Sequence, residues 1–171
     1  MNKKIYSEKF LIFGIVNLLC GFYFFAPTLF TQKKSLTVES GQVENIEIFY
    51  RRVSSRGAKS TKSELFIKVK NDSRNYYLME NISQKRRNET FEIIKKKLTI
   101  SGGVKIWIKK TDINEYEPTI FQISDNKGNI LFNVNQAKSH SKTGFIITFL
   151  AGIFGVGVFV YQKKKNGHNL S

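Results

Sequence analysis

The sequence is poor in the residues that perform covalent and metal chemistry. Its 171 residues include one cysteine, Cys20, and two histidines. No intramolecular disulfide can form, no cysteine-based zinc site can be built, and a histidine ligand cluster has no support. His140 lies beside Ser139 and Ser141 without an acidic neighbour, so nothing indicates a nucleophile with a base held by a third group. Phosphate-loop and dinucleotide-binding glycine patterns are missing, and Gly102-Gly103 is an isolated pair. Asp112, Glu115 and Glu117 cluster loosely but lack the spacing of a calcium loop, and read as a turn before the next strand. The expectation is a non-enzymatic protein with no catalytic residue, no cofactor and no metal.

Charge is missing from two long stretches. Residues 10–30 run 21 positions without a charged side chain, enough for a helix to span the roughly 30 Å hydrocarbon core. A cleaved signal peptide is the competing reading, with Lys3, Lys4 and Lys9 as its basic region; the apolar stretch runs too long for one, and no small-x-small site precedes Pro27. Cys20-Gly21 hints at a lipoprotein signal, but Leu19 stands where a small residue belongs. Residues 144–161 give a second charge-free stretch of 18 positions, followed by Lys163, Lys164 and Lys165. Gly144, Gly152, Gly155 and Gly157 are costly in a water-soluble helix and common in closely packed membrane helices, which favours a second span over a buried core helix. Gly14 and Gly21, seven apart with Asn17 between them, and Ala151 with Gly155 form small-residue faces suited to helix packing.

Two spans place both termini on one side. Six lysines flank the spans on the terminal side and four, Lys33, Lys34, Lys138 and Lys142, on the loop side. This predicts cytoplasmic termini, residues 1–9 and a basic tail at 162–171, and a domain at 31–143 outside the cytoplasm, held at the plasma (inner) membrane.

Segment 31–143 carries 22 basic and 12 acidic residues, so it holds +10 of the chain's +15. Its apolar residues recur with strand period: Ile46, Ile48 and Tyr50 share one face, as do Leu65, Ile67 and Val69, and Val104, Ile106 and Ile108. Residues 75–80 read as a third strand after the Asn71-Asp72-Ser73 turn signal. Residues 88–98 read as a helix with Asn88 as cap, Glu89 and Glu92 in the first turn, Lys95 to Lys97 in the last, and an apolar stripe of Phe91, Ile94 and Leu98. Segments 119–124 and 129–134 read as a hairpin across Asp125-Asn126-Lys127-Gly128. The fold class is therefore a membrane protein with two transmembrane helices flanking a mainly-β α+β domain. Three strands, a helix and two or three strands match an OB-like small barrel; an open sheet crossed by one helix is the runner-up.

The run VENIEIFYRR, a Ser/Gly/Lys-rich connection VSSRGAKSTKS, then ELFIKVKN and GGVKIWIKK, all between two apolar helices, resembles uncharacterised small bacterial membrane proteins with a β-rich domain between two transmembrane helices. The resemblance spans most of the chain and implies no activity.

Two sets of residues are candidates for binding. Arg51, Arg52, Arg56, Lys59 and Lys62 gather in a loop read at 51–62, able to grip phosphates or another anionic polymer, against the plainer reading of a solvated hairpin tip. Lys105, Trp107 and Lys109 alternate on one face of a strand, as in platforms that stack bases or sugars, although such a Trp also packs simply under lysine stems. Lys85, Arg86 and Arg87 with Lys95 to Lys97 form a further basic cluster, attractive to anionic lipid or merely the polar face of a covering helix. Asn71, Asn81 and Asn88 head sequons that matter only in a eukaryotic secretory pathway. The expected partners are the membrane and a protein or anionic envelope component; nucleic acid is disfavoured for an external domain.

Overall fold

A computed structural model describes the backbone of residues 3–55, 58–80 and 84–167. In chain order the elements are α1 (Lys3–Cys20), a π turn (Gly21–Phe25), α2 (Ala26–Leu29), β1 (Leu36–Ser55), β2 (Ala58–Val69), β3 (Asn75–Glu80), α3 (Gln84–Ser101), β4 (Gly103–Lys109), β5 (Ile120–Asp125), β6 (Ile130–Phe132) and α4 (Val134–Gly167). They divide into two compact units, one of Met1–Phe30 with Lys138–Ser171, the other of Thr31–Ala137.

In the helical unit, Glu8–Leu29 and Val134–Lys165 are long and apolar enough to cross a membrane. Only 17% and 11% of their most apolar stretches are buried within the protein, which sets them apart from the core helix of a water-soluble body. The second helix starts ten residues before the charge-free stretch, because the polar run 134–143 carries neither proline nor glycine to stop it. A glycine seam joins the two helices. A Cβ on Gly14 would stand 2.8 Å from the Gly152 carbonyl oxygen and the Val156 nitrogen, and one on Gly155 would stand 2.8 Å from Gly14 Cα. Gly21 lies against Thr148, and Gly144 against the Phe25 ring. Beside the seam Phe145 packs edge-on against Phe22, with centroids 5.4 Å apart, and stacks on Phe149 at 5.7 Å.

The second unit is a six-stranded antiparallel sheet in the order β3-β2-β1-β4-β5-β6, with α3 packed on one face. β1 serves both halves: Leu36 to Gln42 pair with β4, and Val43 to Ser55 pair with β2. A register shift between Val43 and Asn45 inverts the alternation, so the core-facing residues are Thr37, Glu39 and Gly41 before it and Ile46, Ile48 and Tyr50 after it. Phe91, Ile94 and Leu98 of α3 are fully buried against Leu65, Ile67, Ile106, Ile108, Ile120 and Ile123. Gly102, at φ +66°, ends the helix by donating its N–H to the Leu98 carbonyl at 2.9 Å.

Several boundaries differ from the sequence reading. No barrel closes, so the OB-like barrel is replaced by an open sheet. β3 meets the entry to β5 at one parallel bridge, Tyr77 with Thr119. The Asn75 and Tyr77 N–H groups donate to the Tyr116 and Pro118 carbonyls at 2.8 and 3.1 Å. The reciprocal bond to the Asn75 carbonyl would have to come from the nitrogen of residue 118, and proline has no N–H to give. The 51–62 segment is not a loop: Arg51 pairs with Lys62 and Ser54 with Lys59 in a β-ribbon. Asn88 is not a cap, because α3 begins at Gln84; its side-chain oxygen accepts a 2.6 Å bond from the Ser63 hydroxyl. Residues 129–134 hold only a three-residue strand before α4 begins.

The seam makes a prediction. Gly14→Leu forces a bulky side chain into backbone of the opposite helix, whereas a Cβ at Gly157 meets nothing within 4 Å. Thermal unfolding of the full chain in detergent micelles is expected to show a lower midpoint for Gly14→Leu and an unchanged one for Gly157→Leu.

Candidate binding face

On strand β2, Leu65, Ile67 and Val69 point into the core, so Glu64, Phe66 and Lys68 point out. On β1 the register shift puts Asn45, Glu47, Phe49 and Arg51 on that same outer face, and β3 adds Tyr77 opposite Phe66. Three rings form a strip across three strands: Phe49 meets Phe66 at 5.8 Å between centroids, and Phe66 meets Tyr77 at 4.9 Å. Phe49 is 39% exposed and the other two are half-buried.

Glu64 sits beside this strip with its side chain only 7% exposed. A carboxylate so placed is costly unless it is paired. Lys62 Nζ donates to Oε1 at 2.6 Å, the Tyr77 hydroxyl donates to the same oxygen at 3.0 Å, and Arg51 Nε lies 3.2 Å from Oε2. The hydrogen bond from Lys62 holds the Glu64 carboxyl below the usual carboxylate range, against the opposing effect of burial. The same bond pushes the Lys62 ammonium up, while burial, with Glu64 behind it, raises the Tyr77 phenol. The Arg51 guanidinium also lies over the Phe49 ring, 5.9 Å from its centroid.

Glu64 thus brings two of the sequence candidates, Arg51 and Lys62, together with aromatic residues that the sequence reading passed over. Phe66 was legible, since it alternates with Leu65 and Ile67 and had to face outward. Phe49 was legible in the same way, between Ile48 and Tyr50; its meeting with Phe66 across the strands was not. Arg52 continues β1 as an exposed residue; Arg56 and the Lys59 side chain lie outside the described residues, as do Asn81 and the side chains of Lys85, Arg86 and Arg87. On β4, Trp107 stands between Val38 and Gln122, flanked by the exposed Lys105 and by Lys109, whose ammonium lies 5.3 Å from the centroid of Phe121. Of the helix-packing candidates, Gly14, Gly21 and Gly155 lie in the seam, Ala151 lines a groove with Phe10, Phe13 and Phe154, and the Asn17 amide donates to its own helix at the Phe13 carbonyl, 2.8 Å away. The exposed outer side of α3 carries Lys95, Lys96 and Lys97 together with Ile93 and Ile100.

Where the β2–β3 turn meets the 110–118 segment, a polar cleft of about 720 Å³ opens beside Arg74. Every arm of this guanidinium is engaged. Nε and Nη2 bond Asp72 at 2.9 and 2.8 Å, Nη2 reaches Glu39 at 3.2 Å, and Nη1 reaches the Ile113 carbonyl at 3.3 Å. The Tyr76 hydroxyl donates to Asp72 at 2.7 Å. The arrangement is a clasp in which one guanidinium holds two carboxylates. Among the described residues, no group of three His, Cys, Asp or Glu side chains could hold a metal ion.

No known protein family, curated protein or solved structure matches this chain.

The clasp carries a pH signature. The Arg74 side chain holds the Asp72 carboxyl down at about 2. A depressed carboxyl contributes stability that is complete above its unfolded value, about 3.9, and is lost as the pH falls through the folded one. Denaturant unfolding is expected to show stability declining from about pH 4 toward pH 2, and Asp72→Asn is expected to be less stable at neutral pH and flatter across that window.

Proposed function

We propose that this chain is a non-enzymatic, membrane-anchored interaction module. Its two apolar helices span the plasma membrane, with both termini cytoplasmic, and its basic β-rich domain stands outside to engage a protein or an anionic envelope component. One observation carries this reading: cations fixed around the buried Glu64 lie beside an exposed aromatic strip on the solvent face of the sheet. A sheet face that served only as a polar surface would place mobile lysines there, without a desolvated carboxylate to hold them. The largely exposed apolar helices supply the anchor.

A second reading is an OB-like module that binds an anionic polymer or nucleic acid. It draws support from the element order and from the single parallel bridge between Tyr77 and Thr119, which together approach the strand arrangement of such barrels. Trp107 with Lys105 and Lys109 is its additional platform.

Compartment separates the two. Reporter fusions at residue 57 and at the C-terminus are expected to locate the domain outside and the tail inside; a cytoplasmic domain would overturn the first reading and favour nucleic acid. In the second reading, binding of single-stranded DNA is expected to weaken steeply with salt and by about tenfold in Trp107→Ala, measured by fluorescence anisotropy.

A further inference from the structure

The outer face of β1–β3 pairs two features that a single ligand would have to satisfy. The Phe49–Phe66–Tyr77 strip offers apolar ring surface without interruption across three strands. Around it stand both donors and acceptors: the basic Arg51, Lys62 and Lys68, and the acidic Glu47 and Glu64, with the Asn45 amide donating to Glu47 at 2.7 Å. Glu64 Oε2 is buried and accepts no hydrogen bond, held only by its ion pair with Arg51. Because Arg51 is 67% exposed, its guanidinium can turn toward a ligand and leave that oxygen as an acceptor for a hydroxyl.

We propose that this face binds an anionic polysaccharide, its sugar rings packed on the Phe49–Phe66–Tyr77 strip and its carboxylates or phosphates on Arg51, Lys62 and Lys68. The inference rests on the interaction-module reading above and names the ligand class of the same face. The mixed polarity decides between polyanions. A single-stranded DNA chain has no hydroxyl along its backbone to offer the Glu47 and Glu64 carboxylates. A polyhydroxylated chain presents hydroxyls on every ring beside its charges, and uses those carboxylates as acceptors for them.

The test uses the full chain in detergent micelles, with three probes titrated by calorimetry: a hexamer of galacturonate, neutral maltohexaose and a twelve-residue oligothymidylate. Binding of the galacturonate hexamer is expected to be at least about tenfold tighter than that of either other probe, and to weaken as salt rises. Phe66→Leu and the more exposed Phe49→Leu, both checked for an unchanged thermal midpoint, are each expected to weaken it by about tenfold. Failure to bind the hexamer, equal or tighter binding of the oligothymidylate, or no effect of Phe49→Leu would each overturn the proposal. Replacement of Arg51, Lys62 and Lys68 by Gln, combined with Glu64→Gln so that no carboxylate is left buried without its cations and checked for an unchanged thermal midpoint, separates the two levels. If it abolishes binding while the Phe variants do not, the basic face stands and the sugar platform falls; if it too changes nothing, both fall.

Discussion

The domain depends on one strand that belongs to two half-sheets. β1 runs 20 residues, about 66 Å if fully extended, and no flat sheet of this size can accommodate it as a single straight ladder. The strand hands over from β4 to β2 between Gln42 and Val43, and the joint is held from both sides: the Val43 N–H bonds the Gly102 carbonyl at 3.0 Å, and the Lys70 N–H bonds the Gln42 carbonyl at 2.9 Å. Gly41 is required there because a Cβ would collide with the Val69 side chain. From this joint follow the inverted alternation, the position of α3 over Leu65 and Ile106, and the outward turn of Phe49.

The charge of the domain takes a different meaning once its partners are known. The 22 basic residues of 31–143 are not all free surface cations: Arg51 and Lys62 hold Glu64, and Arg74 holds Asp72 and Glu39. A carboxylate set opposite Phe49 with its side chain only 7% exposed loses most of its hydration, and charged donors offset that loss. The basic residues on the ribbon are thus conditions for folding as well as surface charge. A further link, the Tyr50 hydroxyl donating to Glu92 at 2.8 Å, ties the ribbon to α3 beyond the apolar core. Burial, strengthened by that bond, pushes the Tyr50 phenol up to about 12, so it stays a donor throughout the physiological range.

What was legible in the sequence was what rests on local periodicity. The stripe Phe91, Ile94, Leu98 read as a covering helix because three buried residues at helical spacing leave little choice, and Val104, Ile106 and Ile108 read as a strand for the corresponding reason. The first third of β1 was illegible because its inward residues are Thr37, Glu39 and Gly41, a polar set with no alternation signature; Glu39 is tolerated there only because Arg74, far along the chain, reaches it. The basic ribbon was taken for a loop because Ser, Gly and Lys are turn residues locally, while the pairing of Arg51 with Lys62 comes from the register set upstream. The aromatic strip needed that register too, since Phe49, Phe66 and Tyr77 meet only across three strands.

Pro118 removes one rung from the ladder that would turn this sheet into the barrel that the element order suggested. A five-stranded barrel closes by a parallel ladder between its third and last strands, and the backbone here begins that ladder at Asn75 and Tyr77. Each rung of a parallel ladder needs a donor from the residue after the bridged position; at the first rung that residue is proline and the rung is missing, while further along β5 pairs with β6 at Ile123 and Ser124. The opening leaves β3 tethered by its hydrogen bonds to β2 and by the two N–H groups that reach Tyr116 and Pro118. Tyr77 stands at this point of weakest pairing, its N–H bonded to Pro118 and its hydroxyl to Glu64. The seam that failed to close and the carboxylate that gathers the cations therefore meet in one residue, which couples the geometry of the outer face to the way the sheet ends.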